Sequence, residues 1–139
     1  MITEQDKSEE IVYDLNELSR ETDCPTRLAR LAINNIVDSV IGEREDSCDI
    51  DFAIGEIVKD VETHGDANSP RLIRIYHEMG GLVIDTFNKI DNSPSRFHHN
   101  GFGRAAIQKV FGDNYSFIDD GETFQSHLFI PHDNLEIAI

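Results

Sequence analysis

The amino-acid sequence predicts an α+β fold that is mainly α: four to five helices packed as an antiparallel bundle or helical-pair array, followed by a small C-terminal antiparallel β-meander. Three observations predict it. Apolar residues recur every three or four positions from Ile11 to Phe87, the period of one helix face. Beyond Tyr115 the period falls to two, as in half-buried strands. No Pro-rich or low-complexity linker divides the 139 residues, so they read as one domain, helical over about 4–111 and β over about 115–139. Folding at this length buries about two thirds of the unfolded surface, enough for a core.

The first helix is expected over about 4–19. Ile11, Val12, Leu15 and Leu18 share one face, and Asp6, Glu10, Asp14, Glu17 and Glu21 fall within roughly an 80° arc opposite them. Carboxylates one turn apart repel, so this helix depends on a packed apolar face. Thr22 and Asp23 are cap candidates, and Pro25 suits the first turn of the next helix. That helix is expected over about 25–41, with Leu28, Leu31, Ala32, Ile33, Ile36, Val37, Val40 and Ile41 making a wide apolar surface before Gly42. An acidic loop, 43–51, precedes a third helix over about 49–63, whose stripe is Ile50, Ile54, Ile57, Val58 and Val61, with Glu56 and Asp60 on the other side. A fourth helix is expected over about 69–90. It would bury Leu72, Ile75, Tyr76, Met79, Leu82, Val83 and Phe87, and Gly80-Gly81 in its middle would weaken it and points to close approach by another backbone or a kink. After a loop, 91–103, a short helix covers 104–111. Asp119-Asp120-Gly121-Glu122 and Pro131-His132-Asp133-Asn134 are turn signals separating strands 115–118, 123–130 and 135–139. Pro25–Leu31 resembles Pro70–Ile75 with Arg27 over Arg71, a separation in the range of helical-pair repeats.

Charge is the strongest functional signal. There are 27 Asp and Glu against 12 Lys and Arg, a formal net charge of −15. Such an excess accelerates encounter with a basic partner and disfavours nucleic acid and anionic lipid. No apolar run reaches the ~18 residues of a membrane span. The acidic start, Met1 to Asp6, is unlike a signal peptide, and Cys24 and Cys48 lack CxxC spacing, so a cytoplasmic protein with reduced thiols is expected.

Motifs for chemistry are weak. His77-Glu78-Met79-Gly80-Gly81 has Gly81 where HExxH needs its second histidine. Arg96, His98, His99, Arg104 and Lys109 form a basic island whose Asn100–Arg104 turn opens a helix. It lacks GxGxxG and GxxxxGK[ST], and reads as a glycine turn pairing with the protein's own acidic surface. Asp46, Asp49 and Asp51 lack the glycine and terminal glutamate of an EF-hand loop. No GxSxG is present, and neither cysteine has the signature of an activated nucleophile. No catalytic residue, cofactor or metal is therefore expected.

What is left is the acidic surface. Asp6, Glu10, Asp14, Glu17, Glu21, Glu45, Asp46, Asp49, Glu56 and Asp60 are the candidate partner-binding residues. The first expectation is a small cytoplasmic inhibitor, an immunity or antitoxin-type protein neutralising a basic toxin such as a nuclease, its carboxylates pairing with the cations the toxin uses on phosphates. The second is a phage-type anti-defence protein mimicking DNA, for which the helix-one stripe from Asp6 to Glu21 would supply roughly 22 Å of regularly spaced carboxylate. The third is an enzyme using His98–Arg104. Direct binding to nucleic acid or membrane is not expected.

Overall fold

Strands and helices interleave along the chain rather than forming two blocks. The computed structural model describes residues 10–91 and 102–132. In order these are β1 (Ile11–Asp14), α1 (Leu15–Leu18), α2 (Pro25–Ile41), α3 (Ser47–His64), β2 (Arg71–Glu78), β3 (Gly81–Lys89), α4 (Phe102–Phe111), a 3-10 turn (Gly112–Asn114), β4 (Tyr115–Asp119) and β5 (Thr123–Pro131). The strands form one five-stranded antiparallel sheet in the order β1-β2-β3-β5-β4.

The helical-bundle expectation is therefore corrected to an α+β fold built on that sheet. The segment 69–90, expected as the longest helix, is the β2–β3 hairpin, with Arg71 opposite Asn88 and Glu78 opposite Gly81. Two physical features decide the outcome. Arg71, Ile73 and Ile75 are buried while the residues between them are less so, a period of two. Gly80 sits at φ +87°, the left-handed region that glycine supplies in a tight turn. At Gly81 a Cβ would lie 2.5 Å from the Ile130 carbonyl oxygen, so the close approach anticipated from the glycine pair is real, but it is between strands.

The first expected helix is also corrected. Ile11–Asp14 pairs with β2, and helix persists for a single turn, Leu15–Leu18. Asp14 ends the strand and caps that turn, its carboxylate accepting from the Asn16 N–H at 2.9 Å. The internal similarity does not correspond to a structural repeat, because Pro25–Leu31 lies on α2 and the matching segment runs along β2. The helix at 25–41 has the expected bounds, with Pro25 in its first turn and Gly42 at φ +70° ending it. The hairpin 115–130 is present, joined to a wider sheet. The third meander strand, 135–139, and the basic residues Arg96, His98 and His99 lie outside the described residues.

One layer of helices covers one sheet face. Ala29, Ile33 and Val37 of α2, Ile50, Ile54, Ile57, Val58 and Val61 of α3, and Ile107 of α4 pack with Ile73, Ile75, Leu82, Ile84, Tyr115, Leu128 and Ile130 of the sheet. Full burial of each such side chain is worth about 1.5–3 kcal/mol, so this layer holds the fold. No helix among the described residues is long and apolar enough to cross a membrane.

Candidate functional site

The alternate residues of the same strands face away from the described helices. Across this open face one row runs Ser116 on β4, His127 on β5, Asp85 on β3, Arg74 on β2 and Val12 on β1, each opposite the next in the strand register. Asp85 gathers the row. Its Oδ1 lies 2.6 Å from His127 Nδ1, and its Oδ2 accepts from Tyr76 Oη at 2.8 Å and from Arg74 at 3.2 Å. Because an ionised carboxylate only accepts, His127 Nδ1 is the donor in that contact. Arg74 also lies 3.6 Å from Glu10 and stacks over the Tyr76 ring at 4.7 Å. Burial, then the hydrogen bond and charge of Asp85, push the Tyr76 phenol up to about 12. The row floors an open depression of about 470 Å³, walled by apolar Val12, Leu72, Phe87 and Ile118.

A second polar group lies on the covered face. Asp60, only 3 % exposed, is 3.4 Å from Arg104 Nε, and that guanidinium sits 4.3 Å from the centre of the Phe124 ring and 5.4 Å from that of Phe117. Tyr115 beside them is pushed up to about 12, first by burial and then by the Asp60 charge, against the opposing charge of Arg104. Arg104, the described member of the basic island on the first turn of α4, is thus engaged inside the protein.

The structure separates the candidate carboxylates into two sets. Asp6 lies outside the described residues. Glu10, Glu17, Glu21, Glu45 and Asp49 are exposed. Asp14 is a cap, Asp46 pairs with Arg44 at 2.6 Å, Glu56 packs its carboxylate against Gly103, and Asp60 is buried. The hydrogen bond from Arg44 holds the Asp46 carboxyl below its ordinary range. Glu43, Glu45, Asp49 and Asp51 are exposed together around the α2–α3 turn. The Arg44 of that turn also donates to the Pro131 carbonyl at 2.6 Å.

Sequence reasoning missed the open-face row. Ser116, Asp85 and His127 share no local spacing; only the β3–β5 and β4–β5 registers bring them together. Among the described residues no group of three or more His, Cys, Asp or Glu is placed to hold a metal ion. Cys24 and Cys48 are free thiols on the surface.

No family model matches the chain, and no curated protein does. Among solved structures, the nucleotide-free catalytic domain of histidine kinase ThkA is similar at 15 % identity, over 87 % of this chain and 97 % of that one, with a TM-score of 0.43. At that level of likeness no residue role transfers.

Proposed function

We propose that the protein is an acidic binding protein whose partner is a basic protein, with a nucleic-acid-binding toxin such as a nuclease the best chemical fit. The observation that carries this reading is the exposed set Glu43, Glu45, Asp49 and Asp51 around the α2–α3 turn, where the local cation Arg44 is already held by Asp46 and the Pro131 carbonyl. Uncompensated carboxylates on a chain of net charge −15 project a field that steers a cationic surface to this end of the molecule. Inhibition follows if the surface they cover is the one the partner uses on phosphates. The DNA-mimic alternative loses its motivating feature, because the carboxylates from Glu10 to Glu21 are split between a strand end, a one-turn helix and a turn.

The test is affinity capture of the tagged protein from its native cells, washed at low and then high salt, beside a variant carrying Glu43→Gln, Glu45→Gln, Asp49→Asn and Asp51→Asn. The expected result is one basic protein retained at low salt, weakened by high salt and weakened further by the variant, with its enzymatic activity suppressed in the complex. No basic partner at either salt would overturn the reading.

A further inference from the structure

We infer that the open sheet face is a self-association surface, on which two copies of this chain pack face to face as a weak, reversible dimer that salt strengthens. The face is a different part of the molecule from the α2–α3 carboxylates, so the dimer neither needs nor excludes a basic partner.

Apolar exposure comes first. An antiparallel sheet with one wet face ordinarily alternates apolar residues inward and polar residues outward. Here the outward positions depart from that pattern. Val12 on β1, Leu72 on β2, Phe87 on β3 and Ile118 on β4 wall the depression, and Val12 and Ile118 are 51 % and 65 % exposed. These residues lie on four of the five strands, so the apolar surface spans the sheet rather than one edge. Contiguous apolar surface rimmed by polar groups marks a contact site on a soluble protein.

Charge selects a second copy as the occupant. The depression is lined by two carboxylates, Glu10 and Asp85, against one guanidinium, Arg74, which with His127 neutral is a net of −1 on a chain of −15. Those groups are spent on one another. Asp85 bonds to Arg74, Tyr76 and His127, and Arg74 lies 3.6 Å from Glu10. A basic partner gains little attraction from charges already paired, and an anionic lipid surface is repelled by the chain as a whole. Two copies also repel each other, but this face contributes little of that repulsion. Covering it leaves each of those polar groups its present bond.

The size of the face fits. Five strands about 4.8 Å apart, each crossing it over about six residues of 3.3 Å, present roughly 500 Å² in projection. Two such faces bury on the order of 1,000–1,400 Å², the lower end of specific interfaces and the range of reversible ones. Stacked sheets lie about 10 Å apart, a gap that side chains such as Phe87, Leu72 and Ile118 fill from both sides. A two-fold pair uses the same patch on both copies, so association closes at two. In that pair both helical layers, with their α2–α3 carboxylates, face outward.

The test is sedimentation equilibrium of the purified protein in low and high salt, at up to about 200 μM, the concentration range of a weak interface. A monomer–dimer equilibrium is expected. Association should rise several-fold at high salt, as screening removes the repulsion between two chains of −15. Capture of a basic partner moves the opposite way with salt, so failure of one reading is distinguishable from failure of the other. Ile118→Lys and Val12→Lys each place a cation on the face and should abolish the dimer with the melting temperature unchanged, because both positions are exposed. Leu31→Lys, at an exposed position of α2, makes the same change of charge away from the face and should leave the dimer intact. If repulsion alone governed association, all three variants would strengthen it. A protein that stays monomeric in high salt, or a dimer that survives both open-face variants, overturns the proposal.

Discussion

The two faces of the central sheet are made by the same strands and do different work. On the covered face, Ile73, Ile75, Ile84 and Leu128 are sealed under α2 and α3, and buried Asp60 is paired with Arg104. On the open face, the residues one position along, Arg74, Asp85 and His127, keep partial access to solvent and bond to one another. Ile84 and Asp85 are chain neighbours, yet one belongs to the core and the other to an open depression. The alternation of a strand thus lets the nine residues of β3 line the core on one side and a polar network on the other.

The largest effect that sharpens this contrast is on the covered face. Ile84→Ala should cost about 2–5 kcal/mol in urea denaturation, because a fully buried side chain leaves a cavity. Arg104→Ala comes next. Removing the cation leaves the Asp60 carboxylate buried and uncompensated, at about 3 kcal/mol, and the double variant with Asp60→Leu should recover much of that loss. A pH titration probes both faces together. Tyr76 and Tyr115 titrate near 12 in the folded protein against about 10 unfolded, so their stabilisation is complete below pH 10 and is lost as pH rises from 10 to 12. Denaturation midpoints should fall over that window, and less so in Tyr115→Phe. On the open face, Asp85→Asn should cost only about 1–2 kcal/mol, since its bonds are partly solvated. If it costs as much as Ile84→Ala, the open face is structural and the division between the faces fails. The smallest effect is Arg44→Gln at the α2–α3 turn, about 1 kcal/mol or less for a partly exposed pair, with a melting temperature that barely moves.

Part of this arrangement was legible from residues alone and part was not. α2 was readable because its capping residues and its apolar period agree, from Pro25 to Gly42. The β4–β5 hairpin was readable from Asp119-Asp120-Gly121-Glu122, where the Asp120 carboxylate accepts from the N–H groups of Glu122 and Thr123. The β2–β3 hairpin was hidden because Leu82, Val83 and Ile84 are all buried, which erases alternation. Leu72, Ile75, Tyr76 and Met79 also happen to fall at helical spacing, although Met79, on the turn, is 93 % exposed. The charge gave a direction for partner chemistry but not a surface. Asp14, Asp46, Glu56 and Asp60 are spent on caps, pairs and packing within the protein. The open-face row was invisible for a simpler reason: it exists only once β3 and β5 have been paired.

That β3–β5 pairing has a kinetic consequence. The hairpins β2–β3 and β4–β5 close over tight turns, a process of about 1–10 μs in isolation. Joining them requires Lys89 to meet Thr123 across the whole of α4, and β1 must return to β2 across α2 and α3. Loop closure of that reach is entropically uphill before any contact rewards it, so the slow step of folding lies in docking the two hairpins rather than in forming either. A glycine-rich insertion between β3 and α4 should therefore slow refolding gradually, with the logarithm of its length, while leaving the unfolding rate nearly untouched.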